Sequence, residues 1–149
     1  MAQTRAASRL RADAERLADI FTVLQRNFLL SLSKDLAKGN VSFPQYLLLG
    51  FLVQKERLSM SEIAQRMGHS TAAATGLVDR LENLGLAKRS HSRDNRRKVM
   101  VQPTSQGCAL VAAVRDDMIA NLLTLMDGLD PDEQTAWVRI YEKIIRSFE

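Results

Sequence analysis

With 149 residues, the chain is most simply one domain, long enough to bury a core of its own. Hydrophobic residues make up 46% and aromatic ones 5%, a helical balance; no apolar run approaches the roughly 18 residues that span a bilayer, and the charged N-terminus lacks a signal-peptide core. The net charge of +4 matters only where it is concentrated, and a lone cysteine, Cys108, excludes an internal disulfide and fits a reducing cytosol, so the expected protein is soluble and cytoplasmic.

Leu10, Ala14, Leu17, Phe21, Leu24, Phe28 and Leu32 recur at steps of three and four, which predicts a long amphipathic helix over 10–38, with Gly39 placed to cap it. Ser42-Phe43-Pro44 restarts a helix whose residues from Tyr46 to Val53 are apolar nearly all round, so it should be buried. Ser59-Met60-Ser61-Glu62 is a capping box that opens a helix ending at Gly68. Ser70 is a second N-cap, and the helix it opens runs to Leu84 and stops at Gly85. Two short helices joined by a tight glycine-containing turn read as a helix-turn-helix.

Leu86–Ser90 and Val99–Gln102 are strand candidates around a strongly basic loop, which adds a wing. A long helix follows from Thr104, with Leu110, Val114, Met118, Leu122, Leu125 and Leu129 as its stripe. Asp130-Pro131-Asp132-Glu133 starts the last helix with a cap, a first-turn proline and two acids; Trp137, Ile140, Tyr141, Ile144, Ile145 and Phe148 form its apolar face. The fold class expected is mainly α with a small β-hairpin wing: a single domain over 1–149, with a winged helix-turn-helix lobe at 42–103 and dimerisation helices at 10–38 and 104–149. The terminal helices can cover only part of their apolar stripes against each other, hence the expectation of a homodimer, with a monomeric cap formed by these helices as the alternative.

At 100° per residue, Ala73, Ala74, Leu77, Leu81 and Leu84 fall on one side of the second helix and should pack inward. The other side shows Thr71, Ala72, Thr75, Gly76, Asp79 and Asn83. On a recognition helix, Ser70, Thr71 and Thr75 would meet phosphate or base edges in a major groove, while Ala72 and Gly76 allow close approach. Asp79 repels phosphates unless an arginine pairs with it; Arg80 and the wing arginines are the partners at hand. In the wing, Arg93, Arg96, Arg97 and Lys98 face one acid, Asp94. Arginine suits the negative potential of a narrow minor groove, and Asp94 can brace Arg96 there. Ser59, His69, Arg80, Lys88 and Arg89, with Arg93, Arg97 and Lys98, are the candidate phosphate contacts. The expected partner is double-stranded DNA.

These stretches resemble the MarR family of bacterial transcriptional regulators. The likeness rests on Leu58–Met67, on Thr75–Leu86, and above all on Asp94-Asn95-Arg96-Arg97 followed by Val99, Val101, Pro103-Thr104 and Gly107. It implies a homodimeric regulator of a pseudo-palindromic operator, often released by a small ligand or an oxidant. It also implies Arg96 as the minor-groove arginine with Asp94 as its partner, and Ser70, Thr71 and Thr75 as major-groove contacts. Gly76 departs from the pattern, since many relatives carry a bulkier, often basic residue there.

Other chemistry is thinner. Cys108 reads as a buried structural cysteine in preference to a redox sensor. His69 and His91 are the only histidines and have no cysteine partner, so no metal is expected. No phosphate-binding glycine loop or nucleophile elbow is present, and neither enzyme activity nor a cofactor is expected. Phe21, Phe28, Phe43 and Tyr46 are the candidate lining of a pocket for a small aromatic or lipophilic effector, with ordinary hydrophobic core as the simpler reading of them. The competing function is a winged-helix protein–protein module without specific DNA binding, and a third is a redox-responsive regulator using Cys108.

Overall fold

The structure is a computed structural model that describes residues 2–91 and 98–148, with side chains described from Ala7. Its elements are α1 (Ala2–Lys38), α2 (Phe43–Lys55), β1 (Leu58–Ser59), α3 (Met60–Met67), α4 (Thr71–Asn83), β2 (Ala87–His91), β3 (Val99–Pro103), α5 (Ser105–Met126) and α6 (Pro131–Ile145). The chain divides into two compact units, Met1–Cys108 and Ala109–Glu149.

The first unit is a winged helix-turn-helix. Its core is small and closed: Leu48, Leu49 and Leu52 of α2, Ile63 of α3, Val78 and Leu81 of α4 and Val101 of β3 are fully buried. Each such aliphatic side chain contributes about 1.5–3 kcal/mol by leaving water, so this cluster is what sets α4 against α2, α3 and the sheet. Three antiparallel strands lie in the order β1-β3-β2, with Leu58 opposite Val101 and Ala87 to His91 opposite Pro103 to Val99. A two-residue strand such as β1 has no periodicity to reveal it; its pairing with β3 exists only in the folded sheet.

Local signals placed most boundaries. The Ser59 and Asp130 boxes both form: Glu62 accepts from the Ser59 amide at 2.8 Å, and Asp130 accepts from the amides of Asp132 and Glu133 at 2.9 Å each. Gly68 and Gly85 end their helices in the left-handed region, at φ 63° and 71°. Gln134 supplies a C-cap at long range, donating to the carbonyls of Met126 (2.9 Å) and Leu129 (3.0 Å) at the end of α5.

Other expectations change. Helix α1 begins at Ala2, eight residues earlier than the apolar stripe suggested, because helical backbone tolerates the charged, alanine-rich start that lacks a stripe. Its cap is Asn40 at φ 51° in place of Gly39, asparagine being the other residue that accepts this conformation. Helix α2 is buried on one face only: Phe43 and Leu47 are exposed, because the core lies on the side of Leu48, Leu49 and Leu52. In α4 the inward face centres on Ala74, Val78 and Leu81, whereas Ala73 is exposed and Leu77 and Leu84 are half-buried. The helix packs on α2, α3 and β2 together, which turns its buried stripe towards Val78. Cys108 is exposed. The first turn of α5 presses Gly107 inward, and the next residue, 100° further round, points out.

In the second unit Leu122 and Met126 of α5 and Trp137, Val138, Tyr141 and Ile145 of α6 line an apolar groove of about 380 Å³. Trp137 and Tyr141 meet edge to face with ring centroids 6.3 Å apart. Ile140, Ile144 and Phe148 are exposed. Among the described residues no helix is long and apolar enough to cross a membrane.

Gly107 is the tightest joint. A Cβ built there would overlap the Leu86 carbonyl oxygen and meet Leu49 Cδ1 at 3.0 Å. Gly107→Ala is therefore expected to lower unfolding stability by about 1–3 kcal/mol in a urea titration, the usual penalty of overpacking. Gly128→Ala, whose new methyl would find only the Leu125 carbonyl at 3.6 Å, should be near neutral. Equal stability of the two variants would contradict this packing.

Candidate nucleic-acid interface

Ser70 opens α4 by accepting a hydrogen bond from the Ala73 amide at 3.2 Å. Thr71, Ala72, Gly76, Asp79 and Asn83 are exposed and Thr75 is half-buried, so the outer face expected from the wheel is the outer face observed. Thr75 donates its hydroxyl to the Thr71 carbonyl at 2.8 Å. What Thr75 still offers outward is a methyl group and an acceptor oxygen. Nothing lies within 4 Å of a Cβ built on Gly76, which leaves the middle of this face open to a close neighbour.

The cations divide into two groups. His69, Arg80, Lys88 and Lys98 are exposed, as a phosphate contact requires. Arg89 is committed elsewhere: its Nη2 meets Asp79 Oδ1 at 2.7 Å, its Nη1 meets Glu82, and its amide donates to Glu82 Oε1 at 2.7 Å. Burial works against the guanidinium's charge, but hydrogen bonds to Asp79 and Glu82 more than offset it and raise its pKa. The partner of Asp79 is therefore Arg89, where Arg80 or the wing arginines were expected. The sequence alone makes Arg89 a candidate phosphate contact, because a charge in a strand gives no hint of what faces it. The available signal was two acids three residues apart on α4, a glycine turn, and then a basic strand.

Ser59 is also corrected. It is 3% exposed, and its hydroxyl bonds to Glu62 Oε2 at 2.5 Å and to Ser61 Oγ at 3.1 Å, which leaves it unsuited to a phosphate. Side-chain and backbone hydrogen bonds from Ser59 hold the Glu62 carboxyl below its ordinary value of 4.5, with smaller help from Lys98 and Arg66. The base of the wing thus carries Lys98 close enough to act on the start of α3. Arg66 also sits over the Phe51 ring at 6.0 Å, which ties α3 to α2.

Arg93, Asp94, Arg96 and Arg97, the tip of the wing, lie outside the described residues. The strands that carry the tip are described: β2 ends at His91, opposite Val99.

The four aromatics proposed as an effector lining do not come together. A cavity of about 350 Å³ at the α1–α2 corner is lined by Leu29, Leu32, Leu36, Val41 and Phe43 among others. Phe43 alone of the four lines it; Phe21 and Phe28 stand on the N-terminal side of its α1 lining and are exposed, and Tyr46 is half-buried. Among the described residues no cluster of His, Cys, Asp and Glu could hold a metal ion.

Residues 40–98, from the α1–α2 corner to the foot of β3, match the profile of the MarR family. Over these residues the chain is similar to the MarR family. An uncharacterised HTH-type transcriptional regulator, YfiV of Bacillus subtilis (strain 168), is 37% identical over 105 residues, 70% of this chain and 64% of that protein. The chain spans between 51% and 64% of the length of three curated relatives that it matches, each named as a transcriptional regulator or repressor. A MarR family protein from Bacillus stearothermophilus superimposes with a TM-score of 0.80 at 21% identity, over 93% of this chain and 96% of that one. The MepR–DNA complex of S. aureus gives a TM-score of 0.72 at 21% identity, over 87% and 97%. At such identities the likeness is one of fold, and the fold is the MarR winged helix.

The Glu62 capping box makes a pH prediction. Because the folded carboxyl is held low, its contribution is complete above the unfolded value near 4.5 and is lost as pH falls through the lower folded value. Urea midpoints of wild type and Glu62→Gln are expected to differ at pH 6 and to converge on acidification. A difference that stays constant or widens below pH 4 would contradict the assignment.

Proposed function

We propose that this chain is a sequence-specific DNA-binding transcriptional regulator, a homodimeric repressor relieved by a small aromatic or lipophilic effector. The observation that carries the reading is the presentation of α4. One closed core buries Ala74, Val78 and Leu81, so Thr71, Ala72, Thr75 and Gly76 are turned outward on a helix whose open N-terminal amides suit an anion. The same core holds β3, and β3 and β2 carry the basic loop. That one core carries both α4 and the strands on either side of the basic loop supports a reading in which the helix serves the major groove and the loop the minor groove.

In this reading Thr71 and Thr75 touch base edges or thymine methyls, with Ala72 and Gly76 admitting the bases. Arg96, braced by Asp94, enters the minor groove. His69, Arg80, Lys88 and Lys98, with Arg93 and Arg97, hold phosphates and set the register without reading sequence. Dimerisation is supported by the apolar faces left exposed on α1, α5 and α6, among them Leu17, Leu123 and Ile140. Two-fold symmetry would then call for an operator with two inverted half-sites. An effector acts only by preferring one arrangement of the two recognition helices over another; the cavity of about 350 Å³ at the α1–α2 corner is one place in the first unit that could hold it.

Selection of bound fragments from a random duplex pool tests the reading. The expected result is an enriched inverted repeat whose affinity falls by about 1–3 kcal/mol in Arg96→Ala, with the melting temperature unchanged. A pool that stays random, with weak and salt-independent binding, would favour a winged-helix protein-interaction module instead. An enriched site that Arg96→Ala binds as well as wild type would remove the wing from recognition.

A further inference from the structure

Asp79 and Glu82 lie one turn apart on α4, and both carboxylates turn to one guanidinium across the Gly85 turn, that of Arg89 on β2. Its backbone amide also donates to Glu82, so the strand is held at two points. The Arg89 side chain is 29% exposed and that of Asp79 53%, so the arginine sits beneath the acid and not in front of it. Charge-assisted, forked contacts of this kind fix direction as well as distance, which a lysine cannot do. An unpaired carboxylate on a helix meant for DNA is a liability. Here it is drawn sideways into a bond with the wing.

Resting on the DNA-binding reading above, we propose that Arg89 is a positioning residue for DNA recognition. It clamps the C-terminal half of α4 to β2, so that groove helix and wing meet one duplex at a fixed angle, and it touches no phosphate itself. Asp79 and Glu82 are the other half of the clamp. The consequence is counter-intuitive for Asp79: removing its negative charge from the DNA face weakens specific binding.

The test measures affinity against salt for wild type, Arg89→Gln, Arg89→Lys, Asp79→Asn and Lys88→Ala. Two probes are used: a duplex selected from a random pool and a duplex of random sequence. Arg89→Gln and Asp79→Asn are each expected to lose about tenfold on the selected duplex, the size of coupling seen between contacting charges. Both should stay within about twofold of wild type on the random duplex and keep its slope of log affinity against log salt, because no phosphate contact is lost. Adding Asp79→Asn to Arg89→Gln should cost little more, and Arg89→Lys should recover part of the loss. Lys88→Ala should behave differently, lowering the slope by about 0.9 on both duplexes.

A slope reduced by about 0.9 in Arg89→Gln would make Arg89 a phosphate contact and overturn the proposal. Tighter binding by Asp79→Asn, as loss of a negative charge alone requires, would also overturn it. A flat salt response and no selected sequence for wild type would remove the DNA-binding reading and the clamp's role with it. Normal wild-type binding beside unaffected variants would remove the clamp alone. Should Arg89→Gln fail to fold, the exposed-site variant Asp79→Asn decides the matter by itself.

Discussion

Everything that this fold offers to a partner depends on a seam at Gly85–Leu86, where α4 ends and the wing begins. The Gly85 carbonyl accepts from Thr104 Oγ1 at 2.6 Å, and the Leu86 carbonyl accepts from the Thr104 amide at 3.0 Å. Gly107, whose amide donates to Thr104 Oγ1 at 3.1 Å, lies so close to Leu86 that no side chain fits between them. Three residues further along the chain, Arg89 joins β2 to α4 through Asp79 and Glu82. The exit of α4, both wing strands and the first turn of α5 are therefore fastened at one place.

Such fastening suits a reader of DNA more than a generic adhesive surface. A helix in the major groove and a loop in the minor groove gain from each other only if the angle between them is set before binding, because a loose pair would lose conformational entropy on contact. The N-terminal half of the outer face of α4 is modest: two threonines, an alanine and a glycine, with Asp79, Arg80 and Asn83 exposed only further along the helix. Specificity built on so few groups leans on register, and register comes from phosphate contacts and from the rigidity of the support. The seam is also where α5 starts, and α5 continues unbroken to Met126.

What could be read from the residues followed how local the physics was. The caps at Ser59, Ser70 and Asp130 and the stops at Gly68 and Gly85 involve groups within a few residues of one another, and the chain order states them directly. The outer face of α4 was legible for the same reason. Its inner face was read about one residue off, because Val78 is buried by three elements that meet only in the folded core. The strand β1, the buried Ser59 and the Arg89 clamp are tertiary facts of the same sort. Apolar neighbours predict a buried Cys108, yet the direction of a single side chain on the first turn of a helix depends on which neighbour, here Gly107, the packing draws in. Phe43 alone of the four aromatic residues lines the α1–α2 cavity, because spacing along α1 says nothing of where α2 crosses it.

Whether α4 and the strands of the wing form one body is tested most directly by native-state hydrogen exchange in the free protein. The slowly exchanging amides of the second half of α4, from Val78 to Asn83, and those that pair β2 with β3 should open with a common free energy and a common dependence on denaturant, as one cooperative unit. Strand amides that open well below those of α4, and independently of them, would show a hinged wing and contradict the account.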